Sequence, residues 1–182
     1  LLAAATEYVL DNGVANLTLR PLAAALGVTI TTLIRHFESK EALVEEICRR
    51  IYRQLLDDLR ADPELADRPS VETLRALWRR WQDPRQARQF TFIFELYGLA
   101  LRDPERYLWF TRSVVAEALV PLEVGLVRDG STPEEARNMG TVLLAVLRGL
   151  HLDLAATHDN DRVDAAFNLA VERLLTPTQN SP

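Results

Sequence analysis

With 182 residues, 48% of them hydrophobic, the chain has room for one large domain or two small ones around a buried core. Seven glycines and nine prolines among abundant Ala, Leu and Arg predict an almost wholly helical protein, and a single cysteine, Cys48, excludes an internal disulfide framework and fits a reducing cytoplasm. A formal net charge of −5 excludes a strong overall field for nucleic acid.

The charge is unevenly spread. Residues 1–55 balance Arg20, Arg35, Lys40, Arg49, Arg50 and Arg53 against Glu7, Asp11, Glu38, Glu41, Glu45 and Glu46, so the acidity lies in the remainder. No run reads as long and apolar enough to cross a bilayer, and no membrane partner is expected. The opening LLAAATEYVL has neither the basic flank nor the cleavage site of a signal peptide, so a cytoplasmic protein is expected. It also lacks an initiator Met, and residues before Leu1 are expected to be missing from the sequence.

Leu2, Ala5, Tyr8 and Val9 repeat at helical spacing and predict an amphipathic helix over Leu1–Asp11, stopped by Asn12-Gly13 and followed by the connection Val14–Leu17. Thr18 to Phe37 reads as two short helices joined by a tight turn. Thr18 is an N-cap candidate, its hydroxyl expected to accept from a first-turn amide, and Pro21 falls where its missing N–H costs little. Leu22, Ala23 and Leu26 share an edge, Gly27 ends the first helix, and Thr29 caps a second whose Leu33 and Phe37 share one side. Ala23, Gly27 and Leu33 put a small residue at the crossing, a glycine at the turn and a large apolar residue holding the second helix down. That is helix-turn-helix geometry, with an ordinary helical hairpin as the alternative.

The next residues, Glu38-Ser39-Lys40-Glu41-Ala42-Leu43, make a capped start to a third helix. The whole run GVTITTLIRHFESKEALVEEI resembles the N-terminal domain of TetR-family transcriptional regulators, and the resemblance covers residues 1 to about 55. It implies an all-α fold of about nine helices: a three-helix DNA-binding domain over 1–48 and a helical regulatory and dimerisation domain over 49–182. It also implies that Thr29, Ile30, Thr31, Thr32, Ile34, Arg35 and His36 face DNA. Arg35 suits guanine O6/N7, threonine hydroxyls suit bases or phosphates, and Ile30 suits thymine methyls. His36 and Lys40 read as phosphate positioners, with Thr18 and Arg20 on the flanking backbone; for Arg20 a solvated charge is the alternative. The sequence departs from the family pattern at Ile34, where a Tyr is common, and at Ile30 and Thr31, where small or basic residues are frequent.

Ser39–Arg60 reads as one long helix with Leu43, Ile47, Ile51, Leu55 and Leu59 along one side. Asp62-Pro63 to Pro69-Ser70 is the expected domain boundary, with Ser70 capping VETLRALWRRWQ. Helices follow over RQARQFTFIFELYGLALR, over ERYLWFTRSVVAEALVPLEVGLVRDG with a kink expected at Pro121, over EEARNMGTVLLAVLRGLHLDLAATH behind a Thr132-Pro133 cap, and over RVDAAFNLAVERLL; the TPTQNSP tail is expected to fray.

Trp78, Trp81, Phe90, Phe94, Tyr97, Trp109 and Phe110 crowd three consecutive helices. Most of these rings suit a helical core. Some are expected to line the cavity that the family resemblance implies, for a largely apolar or aromatic inducer. Val142, Leu143, Val146, Leu147, Leu150 and Leu154, with Val163, Ala166, Phe167, Ala170 and Leu174, are expected to pair two helices across a homodimer axis, by the same resemblance; burial within one subunit is the alternative. His151 and His158, two helical turns or ~10 Å apart, are too distant for one metal. With no phosphate loop, paired carboxylates or Cys-His arrangement, neither catalysis nor a cofactor is expected. The Arg cluster at 75, 79, 80, 85 and 88 suits an anion or, better, a solvated face.

The function expected is a repressor that binds a palindromic double-stranded operator as a dimer and is released by a small inducer. A ligand-independent DNA-binding dimer, or a helical protein–protein module without DNA binding, are the alternatives.

Overall fold

The computed structural model describes residues 1–60 and 68–175, which form nine helices and no strand. They are α1 (Leu2–Asn12), α2 (Leu19–Ala25), α3 (Ile30–Phe37), α4 (Lys40–Arg60), α5 (Ser70–Trp81), α6 (Pro84–Arg102), α7 (Leu108–Arg128), α8 (Pro133–Thr157) and α9 (Asn160–Leu175). The expected boundary over residues 62–67 and the tail from Thr176 lie outside the described residues, as do the side chains of Leu55 and Leu59.

The chain divides into two compact units, each made of two pieces: Leu1–Ala61 with Pro84–Val114, and Asp62–Asp83 with Val115–Pro182. In the first, α1 lies against α2, α4 and α6. Its core is built from Ala5 and Val9 of α1, Leu22 and Ala23 of α2, Leu33 and Phe37 of α3, Leu43, Ile47 and Ile51 of α4, Phe92 and Leu96 of α6, and Phe110 of α7. The apolar positions recur at helical spacing because each helix shows this core one face. In the second unit, Leu74 and Trp78 of α5, Leu126 of α7, Leu143 and Leu147 of α8, and Val163, Phe167 and Val171 of α9 form a separate core.

Several local expectations meet their geometry. Gly27 takes a φ of +66° just after α2, and the Thr29 hydroxyl accepts the Thr32 N–H at 3.1 Å at the start of α3. Thr132 and Glu135 form a reciprocal capping box, with Pro133 opening α8. Two caps differ. Thr18 has the extended backbone of a cap, but its side chain makes no cap hydrogen bond. Ser70 is the first residue of α5 rather than its cap, which is Pro69, and its N–H donates to Asp129 Oδ2 at 2.6 Å. A carboxylate 59 positions away replaces the local hydroxyl. α7 runs as one helix through Pro121.

One expectation is corrected: α8 is long and apolar enough to cross a membrane by length and composition alone. Its apolar residues surround the helix because one side fills a core. Ala136, Gly140, Leu143, Leu147 and His151 are buried, while Val142 and Leu152 point outward.

Candidate nucleic-acid interface

The helix expected to read DNA is α3, and its two sides differ sharply. Leu33 and Phe37 are 0% and 3% exposed, and they clamp the helix to the first core. Arg35 stands opposite them and Ile34 on the flank is 47% exposed, an apolar residue left in solvent beside Arg35, His36 and Thr31, which are also exposed. Burial of one side therefore presents the other. Thr29 is exposed but spends its hydroxyl on the cap and on the Thr32 hydroxyl at 2.9 Å. Ile30 and Thr32 are half-buried, and Ile30 packs on the first core. The expected base-facing residues thus fall into an outward set, Thr31, Ile34, Arg35 and His36, and a supporting set, Thr29, Ile30 and Thr32.

The flanking cations sit at helix starts. Thr18 and Arg20 are exposed at the start of α2. Lys40 is half-buried at the start of α4, where the Ser39 hydroxyl accepts the Ala42 N–H at 3.0 Å. The first-turn amides and the lysine together suit a phosphate oxygen. Next to Lys40, Arg106 from the α6–α7 connection pairs with Glu41. That hydrogen bond holds the Glu41 carboxyl below its ordinary range. Sequence reasoning missed this pair, because 65 positions separate its members.

The end of α3 carries its own constraint. Glu38 has φ +64° and ψ −48°, with the Ser39 N–H bonded to the Phe37 carbonyl at 2.7 Å. This tight turn is a strained conformation for a residue with a Cβ. Beside it a cleft of about 300 Å³ opens between His36 and Glu38 and the α4 side of Glu45, Glu46, Arg49 and Arg53. Its carboxylates offset its arginines, and Glu45 pairs with Arg49. Attraction for phosphate here is local rather than a broad positive field.

The expected ligand residues divide between the units. In the second, Trp78 is buried and stacks on Phe167 (centroids 4.4 Å apart, planes 7°), while Trp78 and half-buried Trp81 both meet the His151 ring edge-on at 4.6 and 5.4 Å. The indole N–H of Trp78 donates to Asp164 Oδ1 at 2.7 Å. In the first, Phe110 is fully buried, with Tyr97 and Trp109 edge-on at 4.9 and 5.8 Å, and half-buried Phe90 and Phe94 lie 6.5 Å apart.

The expected dimer residues also separate. Leu143, Leu147, Val163 and Phe167 belong to the second core; Val146, Leu150, Leu154, Ala166, Ala170 and Leu174 are half-buried; Val142 is exposed. Outside that set, Ala145, Gly149 and Leu152 continue the exposed Val142 line along α8, and Leu169 is exposed on α9. Among the described residues no cluster of three His, Cys, Asp or Glu is arranged to hold a metal.

Residues 1–47 match the family model for bacterial regulatory proteins of the tetR family. No curated protein matches the chain. The crystal structure of a transcriptional regulator from Rhodococcus sp. Rha1 is similar, with a TM-score of 0.80 at 22% identity, over 100% of this chain and 97% of that one. So is that of a protein assigned to the TetR family of transcriptional regulators from Rhodococcus sp., with a TM-score of 0.78 at 18% identity, over 96% of each chain. At these identities the two structures establish the fold.

Proposed function

We propose, from the tetR-family match of its N-terminal domain, that the chain is a transcriptional regulator that represses transcription by binding a palindromic DNA operator as a homodimer and lets go when a small apolar or aromatic molecule binds. The observation that carries this reading is the two-sidedness of α3, with Leu33 and Phe37 sealed in the core and Thr31, Ile34, Arg35 and His36 outside it. Such a helix is held rigidly and still offers a full side to a major groove. Arg35 reads a base edge, Ile34 contacts thymine methyls, and Lys40, Thr18, Arg20 and His36 fix the register on phosphates.

Dimerisation is supported by the exposed line Val142, Ala145, Gly149 and Leu152 on α8, with Leu169 on α9. Its small residues permit close helix approach and its large ones are costly to leave in water. A homodimer reads a palindrome when its two α3 helices reach successive turns of DNA, ~34 Å or somewhat more apart. Within the first unit, half-buried Phe90, Phe94, Tyr97 and Trp109 supply apolar surface for an inducer. The inducer acts to the extent that it prefers the conformation in which the two reading helices no longer match the operator.

The test starts from duplexes that the protein selects out of its genome. Arg35→Ala is expected to weaken binding by about 1–3 kcal/mol and relax one base position. Lys40→Ala is expected to weaken all sequences alike and reduce the salt slope by about one. Unchanged binding in both variants refutes the assigned surface. Sedimentation velocity of the protein at micromolar concentration reads the dimer, and a thermal-shift screen reads the inducer.

A further inference from the structure

Within the first unit, α6 grips the backbone of the DNA-reading module at one place. Glu95 reaches from the middle of α6 to the turn after α1, and its Oε2 accepts the Val14 N–H at 2.5 Å. Gly13 makes that approach possible. A Cβ on it would stand 2.9 Å from Glu95 Oε1 and 3.2 Å from Oε2, and its φ of +79° independently favours glycine. The gripped segment leads straight into α2. Val14 and Leu17 are buried, and the Leu17 N–H donates to the Val14 carbonyl at 3.2 Å. The next residue is Thr18, whose side chain makes no cap bond. The start of α2 is therefore set by the segment before it rather than by its own cap. Arg88 pairs with Asp11 and Glu7 along the same edge, but these are exposed ion pairs of small worth. A carboxylate on a backbone amide is a stronger and more directional tie.

We propose that Glu95 is a positioning residue for DNA recognition: it fixes the origin of α2 and thereby aims Thr18 and Arg20 at the operator backbone. This rests on the DNA-reading role assigned to the first unit. A reading surface loses affinity when its supporting contacts leave it free by as little as ~1 Å.

The experiment uses the full chain and a duplex enriched from a random-sequence pool by the wild type. Wild type, E95A, E95D, E95Q, R20A and the double variant E95A/R20A are titrated with that duplex over a salt series. Thermal unfolding is recorded on the same samples, so that binding is compared only below each transition. E95A and E95D, whose carboxylate is absent or one methylene short, are expected to bind about tenfold more weakly and to lower the salt slope by about one. E95Q keeps an oxygen that accepts the Val14 N–H and is expected to stay within about threefold of wild type. In the R20A background, E95A is expected to add less than about twofold, since both changes remove the same phosphate contact. Should E95A fail to fold, E95D and E95Q carry the comparison. Wild-type affinity in E95A and E95D, or full multiplication with R20A, overturns the positioning role alone; a wild-type chain that enriches no duplex overturns the DNA-reading role together with it.

Discussion

His151 offers a quantitative test of how the second core is held. It is 5% exposed in α8, with the Trp78 and Trp81 rings against it. Its Nδ1 lies 2.7 Å from the Leu147 carbonyl, which can only accept, so Nδ1 carries the proton of the neutral ring. Burial pushes the imidazole down from 6.5 to about 4, against the smaller opposing effect of the Leu147 bond. The folded protein therefore holds a neutral ring over a range where the unfolded chain binds a proton. Stability rises with pH wherever the unfolded state binds more protons, so on acidification the loss begins near pH 6.5 and is complete below about pH 4. At about 1.4 kcal/mol per pH unit the full effect is roughly 3 kcal/mol, of which about 2 kcal/mol is lost between pH 7.5 and pH 5. The assay is urea unfolding followed by tryptophan fluorescence at those two pH values, for wild type and His151→Leu. The variant removes the titrating group and keeps an apolar side chain of similar size, so its stability is expected to change less across the interval by about 2 kcal/mol. Parallel losses in the two proteins would refute the reasoning, and would mean that the ring reaches water before the unit unfolds.

Two further outcomes follow from the first unit. Leu33→Ala removes a side chain with no exposure from the core side of α3, and is expected to cost about 2–5 kcal/mol in chemical denaturation, with operator binding lost in step. A loss below about 1 kcal/mol would show that α3 is seated by other contacts. Glu38→Gly relieves a positive φ and is expected to raise stability by roughly 1 kcal/mol in a thermal melt; a lower melting point would show that the Glu38 side chain holds the turn.

Most of the fold was legible because its signals are local. Gly27 and Thr29 stop and start helices within one turn of themselves, and Pro133 with Thr132 and Glu135 does the same for α8. The sidedness of α3 was equally local, since Leu33 and Phe37 stand four apart. Long-range partners were not legible. Nothing near Ser70 announces that Asp129 will receive its amide, nor near Gly13 that Glu95 will fill the notch it leaves. α8 defeats periodicity for a different reason: with apolar residues all round, its pattern cannot say that Leu143 and Leu147 turn inward while Val142 and Leu152 turn out. The aromatic run misleads similarly, since neighbours in sequence, Trp81 and Phe90, belong to different compact units.

The interleaving of those units has a consequence for biosynthesis. α1 emerges from the ribosome well before α6, the helix whose Phe92 and Leu96 complete the core that α1 helps to build. At ~5–20 residues per second the first three helices wait several seconds for this late arrival. During that interval the apolar sides of α1 and α4 are incompletely covered, and a chaperone that shields nascent chains has its natural opportunity there.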